Sequence, residues 1–223
     1  MSTVMESREV FGFKAVVLRG YGDLEIHQEQ AAAGPGKLTI EADERVMPII
    51  LAEVREGRLV LGFSMPWYEW LLWWRWLFVF DKKVKLHLTS AGVEALSIQG
   101  AGVVSSDRFD AAKLTLKVSG AGKIRLAGLT VKDLETRLSG AADIELAGTA
   151  DRHDVHISGA GSVHALKFVA KKAAVAISGA GNCSLNVSDE LDARISGAGN
   201  VSYEGNPRIT QRVSGAGSIR RAR

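Results

Sequence analysis

From residue 84 onward, apolar and polar positions alternate in short runs that break at glycine. A Ser-Gly-Ala-Gly-like tetrad recurs there, with its first glycine at Gly100, Gly120, Gly140, Gly159, Gly179, Gly197 and Gly215. The steps between copies are 20, 20, 19, 20, 18 and 18 residues. Arg19-Gly20-Tyr21-Gly22 fits the same frame as an earlier copy.

Alignment on that glycine turns the chain into columns. Two residues before it stand Leu18, Ile98, Val118, Leu138, Ile157, Ile177, Ile195 and Val213. Four residues after it stand Leu24, Val104, Ile124, Ile144, Val163, Cys183, Val201 and Ile219. Both columns are apolar throughout. The residues just before the first column, such as Lys117, Arg137, His156, Arg194 and Arg212, are mostly polar. Period-two alternation marks a strand with one buried face. Abundant Val and Ile and the regular glycine breaks argue against helix.

The repeat therefore predicts an all-β fold, a parallel β-helix (β-solenoid) of roughly 20-residue coils. Each coil stacks its Val and Ile on those of its neighbours at ~4.8 Å, so eight coils predict a rod of roughly 40 Å. Sharp corners need backbone without a Cβ, which accounts for the glycines. The alanine between them is expected to sit inside the corner. The Ser119, Ser139, Ser158, Ser178, Ser196 and Ser214 column is expected to form a ladder of hydroxyls.

The N-terminal part, residues 8–63, also reads as strands: Val10–Leu18, Asp23–His27, Lys37–Glu41, Ile49–Val54 and Arg58–Phe63. Glu56-Gly57 is expected to be a hairpin-type turn, and Asp43–Met47 a helical turn before Pro48. These segments predict divergent first coils that cap one end of the rod. A single domain over 8–221 is expected, with regular coils over 84–219.

Residues 65–80, MPWYEWLLWWRWLFVF, break the pattern. All five tryptophans, Trp67, Trp70, Trp73, Trp74 and Trp76, fall here, and only Glu69 and Arg75 are charged. Spanning a bilayer takes about 20 apolar residues, so a transmembrane helix is not expected. Trp and Tyr favour the lipid headgroup region, and a dense aromatic patch usually marks an interface. Two readings stand side by side: a hydrophobic lid over one end of the solenoid, or a contact surface for a membrane or a partner.

Composition narrows the picture little. Of 223 residues 46% are hydrophobic and the net charge is +3, so no strong surface field is expected and nucleic acid is not an expected partner. With one cysteine, Cys183, no intramolecular disulfide can form. MSTVMESREVFGF has no basic region followed by an apolar one, so no signal peptide is expected. That leaves a cytoplasmic location open.

Catalytic chemistry is not expected. Polysaccharide-cleaving β-helices need carboxylates gathered on one face. The best outward cluster here is Lys123 and Arg125, Asp143 and Glu145, then Ser162 and His164, on successive coils. Opposite charges in register explain it as cross-strand pairing. His153 and His156, near Asp151 and Asp154, are expected to be surface histidines that do not converge on a metal. Cys183 is expected to be a small buried hydrophobe. The tetrads lack the Lys-Ser/Thr pair and following helix of a phosphate loop, so no cofactor is expected. The outward Lys117, Arg137, His156, Arg194 and Arg212 form a basic strip that Glu135, Asp154 and Asp192 would largely neutralise.

REVFGFKAVVLRGYGDLEIHQ, KLTIEADERVMPII, EVREGRLVLGF and the tetrad coils ending in YEGNPRI together resemble the bacterial head GIN-domain family of auto-transporter adhesins. The match runs from Arg8 to Arg221. The resemblance implies a right-handed parallel β-helix, no catalytic residues, and a secreted or envelope-attached protein. On this reading the chain binds or scaffolds a glycan, a protein or other copies of itself. Two alternatives stay open: a cytoplasmic, self-assembling, bactofilin-like rod, and, less favoured, a carbohydrate-active enzyme.

Overall fold

The computed structural model describes residues 3–29, 36–64 and 84–222. Its chain is almost entirely strand, wound into a parallel β-solenoid of about six turns. In chain order, β1 is Thr3–Val10, β2 Ala15–Gly20, β3 Asp23–His27, β4 Gly36–Asp43, β5 Ile50–Arg55 and β6 Arg58–Phe63. Then come β7 Lys85–Thr89, β8 Ala95–Gly100, β9 Val103–Ser106, β10 Phe109–Gly120, β11 Lys123–Gly140 and β12 Asp143–Ile157. β13 Ser162–Ile177, β14 Asn182–Gly197, β15 Asn200–Glu204, β16 Arg208–Gly215 and β17 Ser218–Arg221 complete the set.

Each regular coil has three sides. The first side precedes the tetrad and stacks Leu18, Ile98, Val118 and Leu138 in parallel register. The second side follows the tetrad and stacks Leu24, Val104, Ile124, Ile144, Val163, Cys183 and Val201. The third side is short, and Phe109, Leu129 and Phe168 fill it from within. The two apolar columns are buried except at the last coil, where Val213 is 45% exposed and Ile219 is half-buried. Burying one such Val, Leu or Ile side chain contributes roughly 1.5–3 kcal/mol, so the columns supply most of the driving force.

The tetrad forms the corner between the first two sides. At Gly120, φ is +130°, and an added Cβ would lie 2.4 Å from the Gly100 carbonyl oxygen of the coil below. Conformation and axial spacing both therefore demand glycine. The second glycine faces the core: a Cβ at Gly122 would approach Ile98 Cγ2 to 2.7 Å. The intervening alanines, Ala101 and Ala121 among them, point to solvent. The expectation that this alanine sits inside the corner is thus reversed, because period-two alternation turns the tetrad's second glycine inward.

Coils at the N-terminal end do not stack in chain order. β2 lies between β6 and β8, and β3 lies between β7 and β9, all in parallel. The β2–β3 coil is therefore an inner layer, and β6–β7 is the outermost parallel coil. Antiparallel strands cover that coil: β5 on the first side, and β4 followed by β1 on the second. The strand expected over Val10–Leu18 is two strands, divided where Gly12 takes φ +69°. Asp23–His27 and Arg58–Phe63 form as the alternation predicts, and the expected turn at Glu56 (φ +51°) and Gly57 (φ +72°) joins β5 to β6. The helical turn lies slightly later than expected, as a short 3-10 turn at Met47–Ile49.

Candidate functional site

The tetrad serines stand outward beside the corner, exposed and in register from coil to coil. Two residues earlier on the same strands stand Lys117, Arg137, His156, Ala176, Arg194 and Arg212, also outward. Between these columns runs an open groove parallel to the rod axis. One stretch passes Lys117, Arg137 and His156, and the next passes His156, Arg194 and Arg212. The stretches are about 520 and 530 Å³ and share His156 and Ser158, so they form one continuous track. Each stretch lies within the size range of small-ligand sites.

The groove is electrically mixed. Arg137 donates from Nε to Glu135 at 2.6 Å, and Arg194 donates from Nη2 to Asp192 at 2.8 Å. Asp154 is held by Arg152 at 2.8 Å, not by His156. Lys117 and Arg212 have Thr115 and Thr210 two residues upstream in place of an acid, and neither makes an ion pair among the described residues. The expected neutralisation is therefore real at two coils and missing at the two ends of the track.

On the second side the charge ladder follows the expected register, with Lys123 opposite Asp143 and Arg125 opposite Glu145. Glu145 bridges Lys123 at 2.6 Å and Arg125 at 2.9 Å. The hydrogen bond from Lys123, and then the charge of both cations, hold the Glu145 carboxyl below the usual carboxylate range. His164 stands opposite Glu145 on the next coil. Pairing of this kind serves cohesion between coils.

Two residues singled out from the sequence lie in the core. Cys183 is buried, and burial pushes its thiol pKa up, away from the thiolate form needed for reactivity. His153 is fully buried between Leu134 and Ala173 of the adjoining coils, which corrects its reading as a surface histidine. The frame already held this information: Leu114, Leu134, Ala173 and Leu191 stand in the same column. His156, by contrast, lies outward beside Arg137 as expected.

The five tryptophans, Trp67, Trp70, Trp73, Trp74 and Trp76, lie outside the described residues. The flanks of their segment are described. Ser64 donates its backbone N–H to Ile49, and Val84 accepts one from Asp23. The described flanks, Phe63 at the end of β6 and Val84 before β7, thus stand at the corner that Ala101 and Gly102 cross between β8 and β9. The Phe63 ring stacks on Tyr21 at 4.4 Å beside that corner. Among the described residues no helix is long and apolar enough to cross a membrane.

One convergence was not legible in the sequence. Glu25 on β3 meets both His27 and His87. β7 carries no tetrad, so no frame aligns His87 with β3.

The family described as "Putative auto-transporter adhesin, head GIN domain" matches residues 12–207. Among solved structures, a "putative adhesin" from Bacteroides fragilis superposes with a TM-score of 0.85 at 21% identity, over 99% of this chain and 97% of the other. A "putative lipid binding protein" from Parabacteroides distasonis gives 0.77 at 20% identity, over 99% and 97%. A "putative adhesin" from Parabacteroides merdae gives 0.73 at 18% identity, over 99% and 96%. At these identities the likeness is one of fold. No protein of curated function matches the chain.

Proposed function

Since the chain belongs to the head GIN-domain family of auto-transporter adhesins, we propose that it is a non-catalytic binding rod of the cell envelope that holds an extended glycan in its axial groove. The observation that carries this reading is the track itself: a ladder of exposed serine hydroxyls, one per coil, beside a column that carries Lys117, Arg137, His156, Arg194 and Arg212 and is interrupted by Ala176. Successive coils stand ~4.8 Å apart, close to the length of one sugar unit, so a linear glycan meets a serine hydroxyl at each step. Lys117 and Arg212, which have no acidic partner among the described residues, suit carboxylate or sulfate groups on such a chain.

The carboxylates beside the groove support binding without turnover. Glycoside hydrolysis needs two carboxyl groups flanking the scissile bond, one of them protonated. Glu135, Asp154 and Asp192 instead each pair with an arginine on their own strand, so each is already engaged in a charge pair within its coil.

The Trp-rich run complements the groove. It enters and leaves at one corner of the outermost parallel coil, so attachment through it to a bilayer surface would hold the rod by one end. The groove, on the first side, would stay free. The name given to the Parabacteroides distasonis structure, a lipid binding protein, is in keeping with a lipid-facing element in this fold.

The test is retention of the protein on immobilised acidic and neutral polysaccharides. Acidic chains should retain it, and Ser158→Trp, which fills the shared middle of the track, should release it. Retention that Ser158→Trp leaves intact would remove the groove from the proposal. Reducing ends should not accumulate during prolonged incubation, and turnover would overturn the non-catalytic reading.

A second reading, assembly of copies into longer rods, is favoured by one observation. β16 is exposed along its whole length, with Ile209 at 37% and Val213 at 45%. Unpaired strand edges with apolar side chains are natural assembly surfaces. Concentration-dependent sedimentation that Val213→Lys abolishes would support this reading over the first.

A further inference from the structure

We infer that Glu25, His27 and His87 form a binding site for a divalent transition-metal ion of the zinc, nickel or copper type. Leu24 and Ile26 of β3 and Leu86 and Leu88 of β7 point into the core, so the alternating residues Glu25, His27 and His87 share the outer face. Parallel register sets Glu25 directly opposite His87, with His27 two residues further along. The carboxylate oxygens of Glu25 then lie 3.4 Å from His27 Nε2 and 3.1 Å from His87 Nδ1. The two imidazole rings are close to parallel, 10° apart in plane, with centroids 6.4 Å apart.

One potential ligand atom from each residue falls within 4.8 Å of the other two. Zinc binds His nitrogen and carboxylate oxygen at about 2.0–2.2 Å in a tetrahedron, whose edges are then roughly 3.4 Å. The 3.4 Å from His27 Nε2 to Glu25 Oε1 matches that edge, and His87 Nδ1 lies 3.1 Å from the other oxygen, Oε2. With all three ligand atoms within 4.8 Å of one another, side-chain rotation is what brings them onto one ion. Two imidazoles and one carboxylate suit zinc, nickel and copper better than magnesium or calcium. With three protein ligands, the fourth position faces solvent. The register neighbours of the triad, Ser105, Thr39 and Thr89, are neutral hydroxyl residues. The nearest amine on the strand, that of Lys85, lies 3.6 Å from Glu41.

The site would join two coils adjacent in space and distant in sequence. β3 belongs to the inner coil, and β7 to the outermost parallel one. β7 is also the strand that resumes the solenoid after residues 65–83. A bound ion therefore ties the point of return of that run to the body of the rod, and stabilises the terminal coil through binding linkage.

Titration of the tag-free full chain with zinc or cobalt by calorimetry tests this. One saturable site is expected, with visible absorption of tetrahedral intensity for cobalt and an upward shift in thermal midpoint with zinc. His27→Gln and His87→Gln should each weaken binding at least tenfold, while His156→Gln should not change it. All three side chains reach solvent, so circular dichroism should show each variant folded. Should a variant fail to fold, Glu25→Gln, which keeps shape and removes the ligand charge, carries the same expectation. No saturable binding, or binding that survives the His27→Gln/His87→Gln double variant, overturns the inference.

Discussion

Thr136 and His153 meet inside the solenoid, where the threonine Oγ1 lies 3.0 Å from the histidine Nε2 and neither side chain reaches solvent. The ring's Nδ1 has no hydrogen-bond partner among the described residues, and its edge meets Phe168 at 5.4 Å. Burial lowers the His153 pKa from 6.5 to about 4, opposed only by the charge of Asp154. Between those values the unfolded chain binds a proton that the folded chain does not. The free energy of unfolding therefore rises with pH through this window. Stability should be complete above pH 6.5 and fall by about 3 kcal/mol in all as the pH drops toward 4. Denaturant unfolding at a series of pH values measures this, and His153→Leu should flatten that part of the profile. An unchanged slope in the variant would place the proton elsewhere.

The repeat makes most of this fold legible in the sequence, and the reasons are specific. Ile124, Ile144, Val163 and Cys183 are stacked because each coil offers its neighbour the same inward position, so a column in sequence is a column in space. That logic fails where the repeat fails. β2 and β3 sit inside β6 and β7, against chain order, because the outer coil has no tetrad to announce its register. The same gap hid the approach of His87 to Glu25. His153 escaped notice for another reason: local charge around Asp151 and Asp154 suggested a surface, while the column of Leu134 and Ala173 required a core residue. The groove itself was visible only as two separate columns, serine and cation, two residues apart on the same strands.

Corner geometry gives a sharp contrast between adjacent residues. Gly120 has φ +130° and no room for a Cβ against the Gly100 carbonyl, whereas Ala121 faces solvent. Gly120→Ala should lower stability by roughly 1–3 kcal/mol or more, through backbone strain and separation of the coils. Ala121→Ser should stay within about 0.5 kcal/mol of the parent, as surface changes do. Urea midpoints for the two variants decide the matter, and equal midpoints would contradict the stacked-glycine corner.

Cys183 is flanked in its column by Val163 and Val201, all three buried. Cys183→Ser would bring a hydroxyl into that apolar stack at a cost of roughly 1–3 kcal/mol. The native thiol should also resist a water-soluble disulfide reagent until denaturant unfolds the chain. Prompt labelling of the folded protein would show that the coil opens locally far more readily than its packing implies.

The Trp-rich run yields the prediction that bears most directly on how the rod is held. Five tryptophans within residues 67–76 join β6 to β7, where a regular coil needs only a tight corner. Each indole combines a large apolar surface with one N–H donor, a chemistry suited to the boundary between lipid and water. The run is too short to span a bilayer and long enough to lie in its interface. The columns from Ile98 to Val201 are buried and pair with one another from coil to coil. Replacing Trp70, Trp73 and Trp74 by Ser should therefore abolish co-sedimentation with vesicles of mixed neutral and anionic lipid, and leave the β-rich circular dichroism and the urea midpoint within error of the parent. Unfolding of the triple variant, together with a parent chain that ignores vesicles, would assign the tryptophans to a lid over the outer coil and end the attachment proposal.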